Sequence, residues 1–165
     1  MEYFDVLDKN RNFINKTLPR GAEMNEGEFN QGSEVFIILP YNRLLITQRS
    51  ELKSHPLMWE APGGCTIAGE NTLETSIREM NEEIGLSLKS KDFKLISTQL
   101  YKYQFVDIYI VKIDNLDVNN LKLQSEEISN AKIVSFDEFE KMIDKEQIVR
   151  CTKEHYYAIK DKIKI

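Results

Sequence analysis

Cysteine, proline and tryptophan are scarce: the 165 residues include two Cys, four Pro and one Trp. Two thiols, Cys65 and Cys151, cannot build a disulfide framework in a chain of this size, so a reducing compartment and a cytoplasmic location are expected. No internal repeat or low-complexity tract is visible in the sequence. No apolar run approaches the roughly 18 residues of a membrane-spanning helix. Met1 to Asp5 do not lead from a basic segment into an apolar one, so neither a span nor a secretory leader is expected. A basic excess is missing too, since 22 Lys and Arg face 27 Asp and Glu for a net charge of −5. General nucleic-acid binders carry a basic surface, so nucleic acid is not an expected partner. The two histidines, His55 and His155, lack the spacing of a metal site or a triad, and both read as non-catalytic.

What remains is an ordinary folded composition, 41% hydrophobic and 30% charged. The length fits one domain over 1–165, with an N-terminal hairpin and loop over 1–32 and a core over 33–165. Tyr3 to Leu7 and Phe13 to Thr17 read as strands around the Asp8-Lys9-Asn10 turn, and residues 18–32 as a glycine-bearing loop. Glu34 to Leu39 and Arg43 to Gln48 form a second hairpin about Pro40-Tyr41-Asn42, placed at the heart of a sheet. Residues 50–58 form a polar loop. Trp59 to Ile67 is extended and broken at Pro62-Gly63-Gly64. Leu95 to Tyr103, Phe105 to Ile113 and Ala131 to Val134 read as further strands. Ser135 caps a helix over 136–144, and Thr152 another to about 162. Trp59, Cys65 and the pair Tyr156-Tyr157 are read as packing residues. Strands interleaved with a few amphipathic helices predict an α/β (α+β) fold, a mixed sheet with helices on its faces.

The helix that carries chemistry spans 72–84. Asn71 is its N-cap, Glu74 completes a capping box, and Leu73, Ile77, Met80 and Ile84 form its apolar stripe. Gly85 stops it. At about 100° per residue, Glu79 and Glu83 lie roughly 40° apart, with Glu82 about 60° to the other side. Three carboxylates thus share one arc in the half of the helix where the macrodipole disfavours negative charge. Such a cluster calls for a cation. Magnesium suits it, taking a few carboxylates together with waters and phosphate oxygens; manganese is the alternative ion. Arg78 sits beside the arc, within reach of Glu74 and Glu82. Gly63-Gly64 and Gly69 bracket the loop before the helix, and Gly64 lets backbone approach the ion.

Gly64, Glu70, Arg78, Glu79, Met80, Glu82, Glu83, Gly85 and Leu86 fit the pattern G-x5-E-x7-R-E-U-x-E-E-x-G-U, where U is aliphatic. A chance fit is on the order of one in a billion per window at average residue usage. The segment resembles the Nudix box, and flanking sequence extends the resemblance over 33–140. It implies a Nudix fold, an α/β/α sandwich around a mixed sheet. It also implies a magnesium-dependent hydrolase that cleaves a diphosphate bond in a small nucleotide-like molecule. Glu79 and Glu83 would be the principal metal ligands, joined by Glu82 and the Gly64 carbonyl. Arg78 would orient the carboxylates, and Glu70 would brace the loop. The general base would be a Glu of the helix or one on a distant loop, Glu127 or next to it Glu126. Arg49, Lys53 and Arg20 are candidate phosphate-binding residues, and Tyr103 resembles a tyrosine of dinucleoside-polyphosphate hydrolases.

The N-terminal part, Tyr3 to Asp8 through Pro19-Arg20-Gly21, is similar to Nudix proteins related to isopentenyl-diphosphate isomerase. That enzyme carries a catalytic cysteine where Gly63 stands here, which disfavours isomerisation. A nucleotide sensor without turnover is disfavoured by the intact glutamates. The resemblance leaves the substrate as a nucleoside diphosphate linked to another group, or a nucleoside di- or triphosphate. The N-terminal hairpin offers an edge through which a homodimer could form.

Overall fold

Glu34 to Leu39 is buried on both faces, and the rest of the architecture follows from covering it. In the computed structural model, which describes residues 1–164, the chain runs β1 (Tyr3–Leu7), β2 (Phe13–Pro19), β3 (Asn30–Leu39), β4 (Arg43–Arg49), β5 (Trp59–Glu60), β6 (Gly63–Cys65) and α1 (Thr72–Ile84). It continues through β7 (Phe93–Tyr101), β8 (Gln104–Lys112), β9 (Ile128–Ser135), α2 (Phe136–Asp144) and α3 (Arg150–Ile163). Seven strands make one sheet in the order β5-β4-β3-β8-β7, with β6 also on β3 and β9 also on β4. β3 and β8 run parallel while the other pairs are antiparallel, so the sheet is mixed as expected.

Side chains alternate along β3, and each set meets a different helix layer. Val35, Ile37 and Leu39 pack with Met80 and Ile84 of α1. Phe36 and Ile38 pack with Phe139 of α2 and with Tyr156 and Ile159 of α3. Each such fully buried side chain contributes on the order of 1.5–3 kcal/mol. The result is the expected α/β/α sandwich. No helix among the described residues is long and apolar enough to cross a membrane.

The helix α1 has the expected bounds because its signals are local. The Asn71 side chain accepts from the Glu74 N–H at 2.9 Å, and the Glu74 carboxylate accepts from the Asn71 N–H at 2.8 Å. Gly85 ends the helix in the left-handed region at φ 72°.

Several boundaries differ from the sequence expectation. β2 runs on to Pro19 and β3 begins at Asn30, which shortens the 18–32 loop. Lys102, at φ 55°, turns β7 into β8, so Tyr103 lies in a hairpin turn rather than a strand. α3 starts two residues before Thr152 because that threonine is buried and donates its hydroxyl to Glu34 instead of capping. Tyr156 is core, whereas Tyr157 is 44% exposed and is not.

Arg11, in the turn of the N-terminal hairpin β1-β2, ties that hairpin to the sheet, donating to Gln31 of β3 at 2.8 Å. The Arg11 guanidinium donates twice to Asp107 of β8, each at 2.9 Å. Thr72, the first residue of α1, and Thr98 of β7 donate to the same carboxylate. Burial works against ionising Asp107, but these donors outweigh it and hold its carboxyl below the usual range.

Candidate active site

The second half of α1 and the loop before it build an acidic cleft. Gly64, Arg78, Glu79, Glu82, Glu83 and Glu127 line a polar cleft of about 80 Å³, together with Glu2, Arg20, Lys53, Gly63 and Gln124. The residues singled out in the sequence as metal ligands and as the base therefore share one space.

Within it the carboxylates are unequally placed. Glu83, in the last turn of α1, is buried at only 4% exposed. Burial first, then the neighbouring Glu79 carboxylate, push the Glu83 carboxyl up to about 8. Burial likewise raises Glu79, against the pull of Arg78. Glu82 is half-exposed at the rim.

Arg78 and Lys53 pair with these acids, and Arg20 lines the cleft beside them. The Arg78 guanidinium binds Glu70 through two nitrogens at 2.9 and 3.1 Å, reaches Glu79 at 3.0 Å and Glu82 at 3.3 Å. Its expected partner Glu74 is instead held in the capping box. Glu70 thereby fastens the loop to the helix, and its bonds to Arg78 and Thr75 outweigh burial and lower its carboxyl. Lys53, from the loop after β4, places its ammonium 2.6 Å from Glu127 and 3.9 Å from Glu83. Glu127 reaches the cleft because its segment is stitched to the end of β4, where its carbonyl accepts the Ser50 N–H at 2.9 Å.

The glycine bend is required by contact. A methyl group on Gly64 would run into the Glu79 carboxylate, and one on Gly63 into the Ser33 carbonyl across the β3–β6 pair. Glu79 thus rests directly against the Gly64 backbone.

The donor set suits a hard divalent cation: oxygen atoms only, more acid than base, and one carboxylate too deeply buried to ionise easily without a counter-charge. Side-chain positions are not yet those of a cage. Among the described residues no three carboxylate, imidazole or thiol groups converge to hold an ion. Glu79 and Glu82 are turned to Arg78, and Glu127 to Lys53.

The other candidates divide. Lys53 and Arg20 line the acidic cleft, although Arg20 also pairs with Glu2 at 2.7 Å. Arg49 does not line it; its guanidinium binds Glu60 at 2.7 Å and the Ser54 carbonyl at 2.6 Å, in an adjoining cavity. Tyr103 lies in neither space, and Tyr101 lines the adjoining cavity instead. Trp59 packs against the core with Lys132 over its ring at 4.4 Å. Sequence reasoning passed over Glu34 and Glu60. Glu34 did carry a signal, a charge at the head of an apolar buried strand. His155, read as non-catalytic, is buried and paired with Glu34.

The chain matches the NUDIX domain over residues 31–153. It is 30% identical to Nudix hydrolase 3 of Arabidopsis thaliana over 159 residues, covering 88% of this chain but 21% of that protein. It is 28% identical to an uncharacterized Nudix hydrolase of Listeria innocua over 116 residues, 69% of each. Among solved structures, DR0079 of Deinococcus radiodurans has a TM-score of 0.74 at 17% identity and covers 90% of this chain and 92% of its own. The NUDIX domain of Shewanella oneidensis NrtR, in complex with ADP ribose, has a TM-score of 0.64 at 12% identity over 89% of this chain and 94% of its own. The box, the fold and the match across three-quarters of the sequence place this chain in the Nudix hydrolase family.

Proposed function

We propose that the chain hydrolyses a diphosphate bond in a small nucleotide-like substrate with magnesium, manganese serving as a substitute. The observation that carries this is Glu83: a carboxylate buried at 4% exposure beside Glu79, with the nearest ammonium 3.9 Å away. Removing one charge from water without close pairing is costly, and a divalent ion resolves it. Glu79 and Glu83 would hold that ion, with Glu82 and the Gly64 carbonyl as further ligands. Arg78, braced by Glu70, fixes where Glu79 points. When bound, the ion neutralises diphosphate oxygens and lowers the pKa of a water.

The remaining work falls to side chains. Lys53 and Arg20 neutralise substrate phosphates, and Arg49 does so from the adjoining cavity. Glu127 takes the proton of the attacking water. The new bond joins the water oxygen to phosphorus, and the bridging P–O bond breaks with its electron pair left on the departing phosphate. The Shewanella relative holds ADP ribose, a nucleoside diphosphate joined to a second group, and this supports that class or a nucleoside di- or triphosphate here.

The test is a phosphate-release and phosphomonoester-release screen over nucleotide classes with Mg²⁺. Turnover on a member of these classes, lost in Glu83→Gln, is expected. Tight binding without turnover on any of them points to a sensor. Allylic isomerisation of a five-carbon diphosphate points to an isomerase.

A further inference from the structure

Next to the acidic cleft lies a second cavity of about 300 Å³, on the α3 side of the sheet. The two spaces share Arg20, Lys53, Gly63 and Gly64, so a diphosphate held at the carboxylates would project its other half into this cavity. The volume sits at the lower end for ligand sites and fits one small organic group.

Its lining mixes apolar groups such as Val106 and Ala61 with polar ones that lie deep. Glu34 and His155 are only 6% and 3% exposed, yet both face the cavity. Burying such groups is costly unless they are partnered. Their partnering is incomplete. One Glu34 oxygen accepts from the Thr152 hydroxyl and the other pairs with His155 Nδ1. A carboxylate has about four acceptor positions, so Glu34 retains two. With Nδ1 fixed on Glu34, Nε2 is the ring atom left for a ligand, and it has no hydrogen-bond partner among the described residues. Nearby, the Glu60 carboxylate and the Gln104 amide add further polar atoms, and Tyr101 supplies a ring.

Resting on the diphosphate-hydrolase reading above, we propose that Glu34 and His155 are a specificity-determining pair. They read hydroxyl or amino hydrogens on the non-phosphate half of the substrate and select a nucleoside-like group over a hydrocarbon one. A site built to hydrogen-bond its ligand rejects an analogue that leaves those atoms unpaired.

The experiment compares kcat/KM of the full chain with Mg²⁺ on ribonucleoside diphosphates and ADP ribose against isopentenyl diphosphate. The best nucleotide is expected to exceed isopentenyl diphosphate by about 100-fold or more. In Glu34→Gln that ratio falls about tenfold or more, through KM rather than kcat, a change that a general loss of folded protein does not produce. Equal or better turnover of isopentenyl diphosphate, or an unchanged ratio in folded Glu34→Gln, overturns the pair's role while leaving the hydrolase reading intact. Where that variant melts early, His155→Gln is read in its place by the same ratio, with the same fall expected and an unchanged ratio overturning the pair's role. No turnover of any diphosphate would sink the hydrolase reading, and this inference with it.

Discussion

Gly64 has no side chain because the Glu79 carboxylate occupies the place where one would stand. Gly64→Ala should displace that carboxylate and little else, since displacements of about an ångström at a site cost roughly 100-fold in rate. Steady-state kinetics should show such a loss while the melting temperature stays within a few degrees; unchanged kcat/KM would mean that Glu79 does not need its seat. The spacing of the box made this residue legible, because the contact lies within one short stretch of chain. Other contacts were not. Arg11 meets Asp107 across 96 positions and His155 meets Glu34 across 121, and no local pattern links such pairs. Asp107 gives the pH prediction. Its folded carboxyl lies below its ordinary value of 3.8, so it contributes stability above about that pH, lost as pH falls through the lowered folded value. Asp107→Asn should therefore cost on the order of 1–3 kcal/mol near neutrality. In urea titrations the gap to wild type should narrow below about pH 4. A gap that stays constant into acid would assign the cost to shape rather than charge.

At the scale of elements, α1 was readable because capping box, apolar stripe and terminal glycine are all local chemistry. Gly85→Ala tests one end of it. An alanine at φ 72° is strained, and its methyl would also crowd Lys122 at 2.9 Å. The helix end should lose about 1 kcal/mol or more in a denaturant titration; an equally stable variant would show that the left-handed cap is not needed. Ends of β2, β3 and β7 were less readable. Pro19 and Asn30 read as loop residues by composition, but pairing with β1 and β8 extends the strands through them. Tyr103 was misplaced for a related reason: Lys102, an ordinary strand residue by composition, adopts the left-handed turn that carries Tyr103 out of β7.

Over the whole molecule, the mixed sheet was expected, whereas the parallel β3–β8 pair beneath it was not, since strand order depends on contacts between distant segments. That pairing places the N-terminal half of β3, with Glu34, beside the glycine bend. It thereby sets the inner cavity against the acidic cleft. Under the proposed function, a substrate would lie with its phosphates at α1 and the remaining group toward α3. The proposed hydrolysis depends on a divalent ion in the cleft. The most direct measurement is a Mn²⁺ titration followed by electron paramagnetic resonance, with hydrolysis recorded on the same samples. Wild type should deplete the free-ion signal, Glu83→Gln should do so at least about tenfold more weakly, and chelator should abolish turnover. Equal Mn²⁺ binding by the variant, or hydrolysis that persists in excess chelator, would contradict that dependence.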